Sequence, residues 1–295
     1  MKKIFSKLAA CVALVAVGGC TPLVMGQPQV DDVAWVSQDR IYFLREVGSE
    51  GSELWLRDAG RERKLVSNAE IPDLCGPLNF LFVVKPGKLG LGAVCDGFGR
   101  LISYSETTGA FSTILDVSIQ TAAVALADDG RSGYIGTGKD GCWEIQPFGE
   151  SVGSYSTDWK EYSCRSGKSA KSPVVVGDGS IFFLATNEPR PERLDGYERR
   201  VWRLTTALKE QGGVEQVGPE LHGFPDLAPV PGGSKAVVTV SREGSAEVLE
   251  VDLRTGQSRR IRQTDYASSP SVSPDGKNVA FVDGKGRIAI EEISS

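Results

Sequence analysis

The chain has 295 residues, 40% apolar and 24% charged, with 38 acids against 33 lysines and arginines for a formal charge of -5 at pH 7. This length suffices for a full hydrophobic core, and the acidic balance argues against a nucleic-acid partner, whose phosphates demand clustered positive charge. No apolar run is long enough to cross a roughly 30 Å hydrocarbon core as a helix of about 20 residues, because Gly, Pro and charges break the later ones.

Residues 1–19 read as a secretion signal. Lys2, Lys3 and Lys7 form a basic start without acids, and Leu8–Val17 is an apolar stretch too short for an anchor helix. The stretch ends in Val17-Gly18-Gly19-Cys20, which resembles the lipobox of bacterial lipoproteins: an apolar residue three before the cysteine and a small one directly before it. The resemblance implies diacylation of the Cys20 thiol and acylation of the freed amine, with palmitate-type chains. Several chains give a lasting anchor where one, at about 0.8 kcal/mol per buried methylene, holds only marginally. Thr21, in place of the aspartate that retains such proteins at the inner membrane, implies a periplasm-facing outer-membrane site in a Gram-negative host, or the cell surface in a Gram-positive one. The alternative is a plain cleavage site with an incidental cysteine. Removing residues 1–19 takes three lysines and no acid, leaving 276 residues of formal charge -8.

Residues 20–31 form the lipidated N-terminus, either a tether or a closing strand, and residues 32–295 the folded body. The body keeps Cys75, Cys95, Cys142 and Cys164, an even number in an oxidising compartment. Of three pairings, Cys75–Cys95 with Cys142–Cys164 is favoured, since each closes a short loop within one structural unit or its border. Such loops of about 20 residues contribute about 3 kcal/mol each in the chain-entropy view. A four-cysteine metal site lacks close Cys-x-x-Cys spacing, and His222 is the only histidine.

From Asp32 onward, apolar runs of four to seven residues alternate with Gly, Asp, Asn, Ser and Pro, an all-β pattern. The runs recur as a set. First strands fall near residues 34, 80, 124, 174, 228 and 272, each followed by a turn, a second strand and a third, as in Ser269–Val282 followed by Arg287–Ile290. Six such units predict a six-bladed β-propeller with blades of about four antiparallel strands; a β-sandwich gives no reason for the pattern to restart six times. Arg61–Lys64 and Arg259–Arg262 read as solvated outer-strand edges. Ser271-Val272-Ser273-Pro274-Asp275-Gly276-Lys277, followed by the apolar strand Asn278–Val282, resembles the repeat of TolB-like, WD40-like propellers. The last unit stops after its third strand, so Leu23–Val30 is a candidate fourth strand beside Ile288–Ile293, the alternative being a flexible tether.

Chemistry is sparse. His222, the single histidine, follows Glu220-Leu221 and precedes Gly223-Phe224-Pro225-Asp226, which nearly excludes a histidine triad; there is no Gly-x-Ser-x-Gly elbow, and Gly133–Lys139 lacks phosphate-loop spacing. Asp128, Asp129, Asp178, Asp226 and Asp275 are read as turn residues, with a calcium ion as the alternative. No catalytic residue, metal or cofactor is therefore expected, and Trp35, Trp55, Trp143 and Trp202 are assigned to blade cores. The candidate partner-binding loops are 187–199, with Arg190, Arg193 and Tyr197, and 155–165, with Trp159 and Tyr162. The TolB-like resemblance implies a scaffold that binds another envelope or periplasmic protein in envelope assembly or integrity, and the lipobox resemblance adds the lipid anchor. The alternative is small-molecule or saccharide binding in the channel, or a cryptic hydrolase or lyase.

Overall fold

The computed structural model describes residues 29–47, 51–71, 74, 76–85, 87–95, 98–117, 121–126, 132–139, 142–149, 168–176, 180–188, 200–207, 214–242 and 244–293. They form six small antiparallel sheets arranged as a six-bladed β-propeller. Blade 1 holds β1 (Val30–Ser37), β2 (Arg40–Glu46), β3 (Ser52–Asp58) and β4 (Arg61–Ser67). Blade 2 holds β5 (Leu78–Lys85), β6 (Lys88–Val94), β7 (Gly99–Ser105) and β8 (Phe111–Val117), and blade 3 holds β9 (Thr121–Leu126), β10 (Gly133–Lys139) and β11 (Cys142–Phe148). Blade 4 is β12 (Ser169–Val175), β13 (Ile181–Thr186), β14 (Val201–Ala207) and β15 (Val214–His222). Blade 5 is β16 (Phe224–Pro229), β17 (Lys235–Arg242), β18 (Ser245–Asp252) and β19 (Ser258–Thr264); blade 6 is β20 (Ala267–Val272), β21 (Asn278–Asp283) and β22 (Ile288–Glu292). The first described strand begins at Val30.

The apolar pattern explains this arrangement. Second strands are buried on both faces: Ile41–Leu44 in β2, Ile181–Thr186 in β13 and Ala236–Ser241 in β17 lack the alternation of a half-exposed strand. A sheet apolar on both sides needs a neighbour on both sides, and a ring supplies them. Outer strands carry the charge. β4 and β19 are largely exposed, and their cations pair inward, as in Lys64–Glu53 at 2.6 Å and the Arg259–Glu250 contact. The more exposed Lys64–Glu53 pair is worth only about 0–1 kcal/mol, while Glu250 is itself buried; the larger effect of the outer charges is to keep edges from pairing with other chains.

Close approach accounts for one local composition. In β6, a Cβ on Gly90 would lie 2.2 Å from the Phe82 ring, and one on Gly92 2.0 Å from that of Phe80. Leu89-Gly90-Leu91-Gly92 thus keeps leucines in one core and clears space on the other face for the rings of β5. The Pro274-Asp275-Gly276 turn behaves as its sequence requires: Gly276 has φ +72°, and the Asp275 carboxylate accepts the Ser273 hydroxyl at 2.6 Å and the Lys277 N–H at 3.1 Å. Asp275 also accepts Gln38 Nε2 at 3.0 Å, joining blade 6 to blade 1, and these hydrogen bonds, that of Ser273 foremost, hold its carboxyl down at about 2.

Two substitutions test the packing. Leu44→Ala in the fully buried centre of β2 should cost about 2–5 kcal/mol, and Gly92→Ala, which drives Phe80 off its seat, about 1–3 kcal/mol. Both should appear as a lower urea midpoint with unchanged slope.

Candidate functional site

Antiparallel order sends the connections to two faces. Turns from first to second and from third to fourth strands emerge on one face, the turn face. Loops from second to third strands, and the junctions between blades, emerge on the other, the junction face. The first strands β1, β5, β9, β12, β16 and β20 surround a central channel of about 640 Å³, within the range of about 300–1,000 Å³ common for ligand sites. Its lining is mixed: Phe80 and Val124 from blades 2 and 3, but Asp32, Ser172, Asp226 and Ser269 from blades 1, 4, 5 and 6.

Asp226 corrects the sequence reading. It is the third residue of β16, paired with Thr239, rather than a turn residue. Its Oδ1 accepts the Leu227 N–H at 2.9 Å and the Ser172 hydroxyl at 3.0 Å, tying blade 5 to blade 4. Asp32 does the equivalent for blade 1. Its Oδ1 accepts the Val33 N–H at 2.8 Å and its Oδ2 the Leu81 N–H of blade 2 at 2.6 Å. Ser172 and Ser269 occupy matching places: each has φ +50°, precedes a proline and sits at a register break of its first strand. A left-handed residue other than glycine costs of order 1 kcal/mol or more, and a bulge at that point re-aims a side chain.

Electrostatics follow from burial. Desolvation pushes the Asp32 carboxyl up to about 7, the Asp226 charge adding to the effect and the Leu81 and Val33 N–H groups opposing it. Asp31 is raised to about 6 by burial and by Glu46. Beside Asp226, burial lowers Lys171 to about 8, Arg200 adding to the shift and Asp226 opposing it. Lys171 Nζ lies 4.8 Å and Arg200 Cζ 5.0 Å from the Trp202 ring, while Arg200 Nη2 donates to Ser169 Oγ at 3.0 Å and to the Glu188 carbonyl at 2.7 Å. The channel thus offers carboxylates to a cation or to hydrogen-bond donors. His222, at the end of outer strand β15, stands outside its lining, and among the described residues no three His, Cys, Asp or Glu side chains are grouped to hold a metal.

Of the candidate partner-binding residues, Arg190, Arg193 and Tyr197, between β13 and β14 in the sequence, lie outside the described residues, as do Trp159 and Tyr162. Cys20, Cys75, Cys164, Asp128, Asp129 and Asp178 also lie outside them. Of the tryptophans, Trp35 and Trp202 are buried and Trp55 and Trp143 pack against core clusters, as expected. Asp32 and Lys171 were missed. For Asp32 the available signal was position, near the start of a first strand that lines the channel; Lys171 stands outside that lining, over the Trp202 ring.

No family model matches the sequence, and comparison with curated proteins gives no match. Solved structures do match the fold. TolB from Acinetobacter baumannii aligns with 89% of this chain at TM-score 0.59 and 17% identity, and the tricorn protease with 91% at 0.60 and 16%. The chain spans 65% of that TolB and 27% of the tricorn chain. A protein assigned to TolB from Agrobacterium tumefaciens matches over 91% of both chains, at TM-score 0.57 and 14% identity. These likenesses establish the fold.

The Asp32 shift fixes the sign of a pH effect. Its folded value lies above the unfolded one, so between about pH 4 and 7 the unfolded chain releases a proton that the folded chain retains, and stability falls as pH rises. The slope is at most about 1.4 kcal/mol per pH unit, and water in the channel reduces it. The stability advantage of wild type over Asp32→Asn should therefore shrink from pH 5 to pH 8 in urea titrations; a constant difference would show that Asp32 titrates normally.

Proposed function

We propose that this protein is a lipid-anchored envelope scaffold whose junction face binds a cationic segment of another envelope or periplasmic protein. The observation that carries the reading is a coincidence on one face. Asp32 and Asp226 stand near the junction ends of β1 and β16, while Phe224 at 47% exposure and Tyr266 at 43% flank the same rim, with Asp31, Glu46 and Asp265 beside them. Exposed aromatics beside desolvated carboxylates suit a segment carrying Lys or Arg next to apolar residues. The likeness to TolB folds and the signal-like N-terminus support placing the partner in the envelope.

Crosslinking in intact envelopes, followed by capture of the tagged protein, tests this. Wild type should recover a stoichiometric partner, and Asp32→Asn with Asp226→Asn should reduce the yield at least tenfold while the fold persists. Recovery of nothing stoichiometric by wild type would sink the scaffold reading. The cavity volume favours a second reading, a small cationic molecule or saccharide in the channel; saturable heat on titrating diamines or oligosaccharides into the purified protein would support it.

The disulfides Cys75–Cys95 and Cys142–Cys164 belong to the same proposal, because they require export. Two contacts support them. Val94 N–H donates to Pro77 O at 3.2 Å and Gly76 presses on the backbone of Val94 and Cys95, carrying the β5–β6 ladder towards residue 75. Cys142 Sγ lies 3.7 Å from the Lys168 carbonyl, four residues after Cys164. Non-reducing peptide mapping of exported protein should return these two pairs; crossed pairs or four free thiols would refute the assignment.

A further inference from the structure

We infer that Lys171 is a reactive amine that binds small 2-oxo acids reversibly, as imines, at the seam between blades 4 and 5. Lys171 is the third residue of first strand β12, and its Nζ lies 4.8 Å from the centre of the Trp202 ring. Trp202 belongs to the core cluster that joins blade 4 to Leu227 and Val238 of blade 5, so the amine sits against apolar surface at that seam. Among the described residues no group accepts a hydrogen bond from it. Lys64 and Lys235 differ: their ammonium groups are held 2.6 Å from Glu53 and 2.7 Å from Glu250.

Two charges face Lys171. Arg200 lies over the same ring, with Cζ 5.0 Å from its centre, and is fixed there because Nη2 donates to Ser169 Oγ and to the Glu188 carbonyl. The Glu188 carboxylate is turned to the Val201 N–H, which it accepts at 2.9 Å. The second charge is Asp226 of β16, whose Oδ1 already accepts the Ser172 hydroxyl and the Leu227 N–H. Burial foremost, and then the Arg200 charge, work against the ammonium, while Asp226 supports it; the balance lowers the group to about 8. At that pH it holds on the order of a hundredfold more free amine than an ordinary lysine. An amine desolvated beside a second cation is the arrangement that activates lysine for Schiff-base chemistry.

The ligand class follows from these neighbours. The neutral amine attacks a carbonyl carbon and the carbinolamine loses water, so an amine and a C=O group give C=N and H2O, and no oxidant or reductant is needed. A carbonyl compound with a carboxylate beside the reacting carbon gains from the Arg200 charge, whereas an uncharged aldehyde does not. Size is limited, because Lys171 is half-buried and Arg200 and Trp202 are 2% and 4% exposed. The channel reaches the same place, since Ser172, the next residue, and Asp226 both line it.

The test is imine trapping on the purified full-length protein. Glyoxylate is applied at pH 8 with cyanoborohydride, which reduces the imine to a stable secondary amine, and adducts are located by peptide mapping. Lys171 should carry at least about tenfold more adduct than Lys64 or Lys235, with a yield that rises with pH through a midpoint near 8. Unfolding in urea should abolish the excess, and propanal in place of glyoxylate should cut it at least about threefold. Lys171→Met, whose unbranched stem suits the Trp202 contact, should remove the dominant adduct and leave the others unchanged. Equal labelling of these lysines, an excess that survives urea, or a Lys171 yield that rises only above about pH 10 overturns the reactive amine. An excess equally large with propanal overturns the preference for 2-oxo acids. Neither result bears on the scaffold reading, whose test is capture of a partner.

Discussion

The structure depends on sheets that are apolar on both faces. A blade such as β16–β19 buries Ala236, Val237, Val238, Thr239 and Val240 in consecutive positions of one strand, so side chains leave it in both directions and neither can face water. At about 25 cal/mol per Å² of apolar surface, an uncovered blade face would outweigh the few kcal/mol by which a domain of this size is stable. A stack of such blades has two uncovered ends. Bending it into a ring removes them. The blade 6 to blade 1 seam, where Val33, Trp35, Ile41 and Phe43 pack with Ala280 and Val282, is the result.

Closing the ring creates a different surface. The first strands converge on an axis that no further strand can fill, and their inward positions meet water in a confined space. Polar residues there satisfy hydrogen-bond donors across blade boundaries: Asp32 accepts the Leu81 N–H of blade 2, and Asp226 the Ser172 hydroxyl of blade 4. A carboxylate is well suited to this, because one side chain can accept from two strands at once. The cost is desolvation, which appears in the raised Asp32 carboxyl. The same carboxylates that tie blades together are therefore the most receptive groups in the channel.

The repeat was legible because it rests on local chemistry. Pro274-Asp275-Gly276 and the apolar runs at steady spacing specify hairpins without reference to the rest of the chain, and the structure places all six first strands at the expected residues. The charged runs 61–64 and 259–262 were legible as outer strands for the same reason, since burying them would strip four and three charges of water at once. Asp226 was not. Aspartate before Leu-Ala-Pro reads as a turn residue, and only ring geometry shows that the third position of a first strand faces the axis. The register breaks at Ser172 and Ser269 were hidden too, because Ser-Pro occurs in many loops, and a left-handed serine is imposed by the strand it must bulge from.

The seam between the first and last blades combines two kinds of closure. Side chains hold it at the turn face, through Gln38 and Asp275, and backbone holds it at the junction face, through Val30 and Gly286. The Trp35 backbone N–H adds a third contact to the Ser271 hydroxyl at 2.8 Å, between these two along the first strands. These contacts span the full height of the ring, so shear along the seam must break side-chain and backbone hydrogen bonds at both faces together.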